Sequence, residues 1–167
     1  MTTDPTLARL LRHMAWANAA LFERLGTLPN EALVLATPRN EWTVAMIAAH
    51  IVSAAGRCAG RLEGGVLPPD LAPPTTTVEV AAVARVCADY DRRLLAAAAV
   101  PESIVEFHDR DGGVRRRARS TILGQAIHHA TEHRAQVAGA LATNGVDAID
   151  LDALDLWAFG VAEGLGA

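Results

Sequence analysis

The chain contains no lysine, and all 15 of its basic residues are arginines. A Schiff-base enzyme and a phosphate-loop nucleotide-binding protein each need a lysine side chain, so both classes are excluded. The 19 acidic residues outnumber the arginines and give a net charge of −4. Because nucleic-acid-binding proteins usually carry a basic excess, we expect no nucleic-acid partner.

Cysteine and long apolar runs are also scarce. Cys58 and Cys87 do not form a CxxC pair, and each lies in an alanine-rich helical pattern, which favours small buried residues over a disulfide framework. No segment approaches the roughly 18 uninterrupted apolar residues of a membrane span. The first residues lack the basic start and apolar run of a secretory signal. We therefore expect a cytoplasmic protein without membrane contact, and its length predicts a single domain over residues 1–167.

Apolar residues spaced three and four apart predict four long helices. Capping residues, prolines and glycines place them after Asp4-Pro5 as far as Gly26, from about Thr43 to Gly64-Gly65, from Thr76 to before Pro101, and from Ser120 or Thr121 to Asn144-Gly145. Residues 103–118 break the helical period around Asp111-Gly112-Gly113, which predicts a hairpin or a long loop. Asp150 would cap a short C-terminal helix. The expected fold class is all-α, an antiparallel four-helix bundle.

Histidines carry the most informative chemistry. His129 and His133 are four apart on the fourth predicted helix, so both imidazoles leave the same helix face and can reach one metal ion. His128 points elsewhere around the helix. His50 lies in an apolar stretch of the second helix, where an imidazole needs a partner. Residue types alone leave two readings open, a metal site or structural histidines satisfied by backbone and water.

The sequence resembles the DinB/YfiT-like family of four-helix bundles with a three-histidine metal site. The resemblance runs over nearly the whole chain, through HMAWANAALFERLGTLP, WTVAMIAAHIVSA and HHATEHRAQVAGALATNGVDAIDLD. The last segment is similar to the family's HxxxHRxQ helix. By this resemblance His50, His129 and His133 are ligands of a divalent ion, for which zinc and nickel are the best candidates.

Two departures and one competing motif bear on the chemistry. Many members have glycine where this chain has Ala135, and some have a further histidine where it has Gln125. Gln125 therefore has no acid or base role and could orient a water or a substrate.

The segment from His129 to His133 also matches the H-x-x-E-H protease signature, but too little chain follows it for such an enzyme. Glu132 is still a candidate catalytic acid or base, the alternative being a solvated helix charge.

An arginine-rich segment supplies the other candidate binding residues. Arg115 and Arg116 could hold carboxylates of a thiol cofactor, since the guanidinium fork suits carboxylates, or they could belong to a solvated loop. The family resemblance implies transfer of a low-molecular-weight thiol to an electrophile. The alternatives are a hydrolase that activates water at the metal and a non-catalytic metal-binding stress-response protein.

Self-association is the last expectation. The predicted helices carry more aromatic surface than helices of this size need to bury, at Trp16, Phe22, Trp157 and Phe159. The resemblance also implies a dimer, since members of that family are commonly dimeric. We therefore expect a symmetric homodimer.

Overall fold

The computed structural model describes residues 4–38 and 41–166. Within these ranges the fold is mostly helical, with five α-helices and one two-stranded sheet. In chain order the elements are α1 (Pro5–Gly26), α2 (Val44–Glu63), α3 (Thr77–Ala97), β1 (Ile104–His108), β2 (Val114–Ala118), α4 (Arg119–Thr143) and α5 (Leu156–Ala162). Short 3₁₀ helices cover Asn30–Val34 and Asp152–Leu154.

Side-chain caps set the starts of α1, α2 and α3, as the sequence predicts, whereas α4 begins after Ala118 without a side-chain cap. The Asp4 carboxylate accepts hydrogen bonds from the backbone N–H groups of Thr6 and Leu7, and the Thr43 hydroxyl accepts one from Met46. These bonds satisfy donors that the first turn leaves without an intrahelical partner. At the end of α2, Gly64 has a φ of 69°, a left-handed conformation that glycine adopts without a Cβ clash.

The four long helices pack around one hydrophobic core in an order that differs from their order in the chain. α1 contacts α3 and α4 extensively, and α2 contacts the same two helices. α2 is the most deeply buried of them, and alanine and glycine residues form much of its surface. At Gly56 a Cβ would lie 2.7 Å from the Tyr90 ring, so this glycine allows α3 to approach closely. The antiparallel arrangement of the bundle stays a prediction.

The segment between α3 and α4 forms an antiparallel hairpin, which is one of the two outcomes expected for residues 103–118. β1 pairs with β2 from Ile104 opposite Ala118 to His108 opposite Val114. Gly112, with a φ of 77°, lies in the turn. No helix in the described part of the chain is long and apolar enough to cross a membrane.

Two expectations need correction, the cap of the last helix and the exposure of the aromatic side chains. Asp150 accepts hydrogen bonds from Asp152 and Ala153 at the 3₁₀ turn, whereas Asp155 is the residue that caps α5. Phe22 and Phe159 are buried, so they provide no aromatic surface for a dimer. Trp157 is 85% exposed and Trp16 is half-buried, so these two tryptophans provide the aromatic surface of the expected set.

Candidate metal centre

Three histidines from two neighbouring helices meet in the bundle. His50 lies in α2, and His129 and His133 lie one turn apart in α4. The Nε2 atom of His129 is 3.0 Å from Nε2 of His50 and 3.1 Å from Nε2 of His133. One ligand atom from each residue lies within 4.8 Å of the other two. The three histidines named from the sequence are therefore together and positioned to bind a metal ion.

A shared metal ion explains the two short contacts of His129 Nε2 better than hydrogen bonds do. A ring nitrogen carries either one proton or one lone pair, so it cannot make two good hydrogen bonds at once. A divalent ion about 2.0–2.1 Å from each nitrogen would hold neighbouring ligand nitrogens roughly 3 Å apart. The two Nε2 separations match that spacing. The donor set, three imidazoles, suits zinc and nickel.

Burial keeps these imidazoles in the neutral form that binds metal. Desolvation, followed by the charges of His133, His50 and Arg57, lowers the pKa of His129 from 6.5 to about 4. Burial is also the largest cause that lowers the pKa of His50. Because a metal ligand must be deprotonated, both shifts favour coordination at neutral pH.

Two further side chains orient the cluster, and neither was predicted from the sequence to have a role. His133 Nδ1 lies 2.8 Å from Oε1 of Gln136, so its N–H can donate there and leave the Nε2 lone pair facing the site. The Trp42 ring meets His50 edge-on at 4.7 Å between centroids and stacks near His133 at 6.2 Å. Gln136 was visible as the glutamine of the HxxxHRxQ motif, whereas no signal in the sequence placed Trp42 at the site.

Arg134, next to the last ligand, leads into a buried polar network rather than to solvent. It is 3% exposed, and its guanidinium donates to Asn18 Oδ1 at 2.7 Å and to the Thr131 hydroxyl at 2.9 Å. The Asn18 amide donates in turn to Asp91 at 3.0 Å. Burial raises the pKa of Asp91 and lowers that of Arg134 to about 10. The network joins α1, α3 and α4 next to the ligand His133 in the chain.

A cavity of about 230 Å³ adjoins the metal centre on the His129 side. Its lining includes Gln125 from α4 and two arginines from α2, Arg57 and Arg61. Each arginine pairs with a carboxylate from a loop, Arg57 with Asp70 and Arg61 with Asp109. The sequence pattern pointed to the arginines near 110–119 and gave no sign of this pair.

The remaining candidate residues lie outside the cluster. Glu132 is exposed on α4, and the metal cluster found among the described residues does not include it. Arg115 pairs with Asp111 within the hairpin, and Arg116 lies 3.9 Å from Glu106 on the facing strand. Their catalytic and cofactor-binding roles stay predictions.

Comparison with known proteins decides the family. The sequence profile of the DinB family matches residues 1–159. The chain belongs to the DinB family. Among solved structures it is similar to a DinB-like protein from Bacillus cereus ATCC 10987, with 20% identity, a TM-score of 0.65, and coverage of 84% of this chain and 94% of the other. At that identity the likeness concerns the fold alone. No curated protein matches the chain.

Proposed function

We propose that this DinB-family chain is a metal-dependent enzyme that transfers a low-molecular-weight thiol to an electrophilic substrate. The observation that carries the proposal is the three-histidine cluster, with His129 in the wall of a cavity. Three imidazoles fill only three positions around a divalent ion, and a catalytic site keeps at least one position open. A structural zinc site would close the fourth position with a protein ligand, and among the described residues the cluster consists of the three histidines.

The chain's own residues would hold the ion and shape its surroundings. His50, His129 and His133 would coordinate it, Gln136 would fix the His133 ring, and Trp42 would shield one side of the cluster. When bound, a divalent ion supplies positive charge that lowers a thiol pKa and yields thiolate near neutral pH. In the transfer, sulfur bonds to the electrophilic carbon, the leaving group takes the electrons of its own bond, and the thiol proton goes to solvent.

The surroundings of the cluster support thiol transfer over hydrolysis. A metal ion can itself lower the pKa of bound water, but hydrolysis is usually assisted by a general base, and among the described residues no carboxylate joins the three histidines. A thiol has a much lower pKa than water, so it can ionise beside a cation without a protein base. A hydrolase and a non-catalytic metal-binding protein are the two outcomes that would replace the proposal.

The test is a panel of thiols with a fluorogenic electrophile such as monobromobimane. Zinc- or nickel-loaded protein should accelerate thioether formation with glutathione, bacillithiol or mycothiol. His129→Ala should abolish the acceleration. His128→Ala is the matched control, because this neighbouring histidine is exposed on the same helix, and it should keep full activity.

Two results would replace the proposal. Turnover of an ester or amide without any thiol, lost in Glu132→Gln, would make the protein a hydrolase. Tight metal binding without turnover of any thiol would make it a metal-binding protein without catalysis.

A further inference from the structure

Arg57 and Arg61 lie on the same face of α2 as the metal ligand His50. They follow His50 by seven and eleven residues. At 3.6 residues per turn, each arginine therefore lies within about 20° of His50 around the helix axis. Both arginines and His129 line the same cavity. Arg57 lies roughly 10 Å along the helix from His50 at 1.5 Å per residue, which is the length of a small molecule.

The rest of the cavity wall is largely apolar. Its apolar lining residues include Met14, Ile51, Ala54, Ala55, Ala126 and Ala130. The volume of about 230 Å³ lies below the roughly 300–1,000 Å³ of pockets that hold drug-sized ligands. This space suits a small ligand with an apolar body and is too small for a whole glutathione-sized thiol.

Both guanidinium groups already hold carboxylates, which shows what chemistry their positions accept. Asp70 pairs with Arg57 and also with Arg110, and Asp109 lies 2.9 Å from Arg61. The arginine side chains are only 13% and 19% exposed, whereas the two aspartates are 50% and 35% exposed. The aspartates are the solvent-accessible partners, so a ligand carboxylate can take their place and keep each guanidinium paired.

The Arg61 guanidinium lies beside the Cys58 thiol and 5.0 Å from the centre of the Phe107 ring, and one of its donors is unsatisfied. Nε of Arg61 is buried and makes no hydrogen bond within the described residues. A buried unsatisfied donor costs free energy that a ligand acceptor would recover. The guanidinium fork accepts a carboxylate through two parallel hydrogen bonds.

We propose that the cavity binds a small carboxylate with a short apolar body, its carboxylate held by Arg57 and Arg61 and its other end directed toward His129. This inference rests on the proposed function, in which that ligand is the electrophilic substrate. The arginines then determine specificity for anionic electrophiles. The thiol approaches the metal from outside this cavity.

The test uses hexanoate as the probe and hexanamide as its uncharged match. Calorimetry on the zinc-loaded protein should show hexanoate binding roughly tenfold or more tighter than hexanamide, as expected for charge-assisted hydrogen bonds. Arg57→Gln and Arg61→Gln should each lose most of that preference while keeping the metal. Arg85→Gln, which changes an exposed arginine of α3, is the matched control and should bind hexanoate like the wild type.

A second measurement avoids the variants altogether. In nitrogen-15 NMR spectra of the wild type, hexanoate should shift the Nε–H signals of Arg57 and Arg61, and hexanamide should leave them in place. Equal binding of both probes would overturn the inference. It would also be overturned if hexanoate binding were lost on metal removal yet unchanged in both arginine variants, because the carboxylate would then lie on the metal. Absence of thiol transfer with hexanoate selectivity intact would defeat the proposed function and leave this binding site supported.

Discussion

Asn18→Ala is expected to destabilise the protein strongly, because one amide group links two buried charged groups. Asn18 is 1% exposed; it accepts a hydrogen bond from Arg134 at 2.7 Å and donates one to Asp91 at 3.0 Å. A hydrogen bond to a charged group contributes about 1.5–3 kcal/mol. Loss of both should lower the free energy of unfolding by about 3–6 kcal/mol, a large share of the stability of a domain this size.

The assay is urea denaturation of metal-free protein, analysed by linear extrapolation. Metal must be absent, since a bound ion would add its own concentration-dependent stabilisation. Asn30→Ala is the matched control, because Asn30 is exposed and accepts a single hydrogen bond from the Thr77 N–H; its loss should be about 1 kcal/mol or less. If Asn18→Ala cost no more than Asn30→Ala, the reasoning about the buried network would be refuted.

The remaining predictions concern pH, the untested side chains and assembly. Burial lowers the pKa of His129 to about 4 in the folded chain, against 6.5 ordinarily. Between these values the unfolded chain binds a proton that the folded chain does not, so metal-free protein should lose stability as pH falls from about 7 toward 4. His129→Gln should flatten that loss in thermal melts. Glu132→Gln should leave thiol transfer within about threefold of wild type, since Glu132 is exposed; a loss of a hundredfold or more would assign it a catalytic role. If Arg115 and Arg116 bind the thiol, their alanine variants should raise its KM and spare kcat in steady-state kinetics. Light scattering at micromolar concentration should give the mass of two chains, and Trp157→Ser should shift it toward one if that exposed ring lies in the interface.

Local sequence signals predicted the helices well. Asp4, Thr43 and Thr76 cap α1, α2 and α3 as expected, because an N-cap acts through its own first turn. The start of α5 was predicted wrongly because a capping signal is local and two candidate caps lie close together. Asp150 and Asp155 both have capping side chains, and nothing in the nearby sequence shows that the first opens only a 3₁₀ turn.

The site was predictable only where its residues share a helix or a family motif. His129 and His133 are one turn apart, and His50 stood out as an imidazole in an apolar stretch whose role as a ligand the family resemblance implied. Trp42 reaches the cluster from outside the helices, and Arg57 and Arg61 reach the cavity because α2 packs against α4. The sequence marked the arginine-rich stretch around Arg115 instead, since a run of like charges is visible without any knowledge of packing.

Metal content of matched histidine variants tests the central claim most directly. Wild type and His128→Ala, purified, reconstituted with zinc or nickel and freed of excess ion, should each carry one divalent ion per chain by elemental analysis. His129→Ala should carry none, because His129 Nε2 lies about 3 Å from both of the other ligand nitrogens. Wild-type protein that holds no metal after reconstitution, or His129→Ala that holds as much as His128→Ala, would contradict the three-histidine centre.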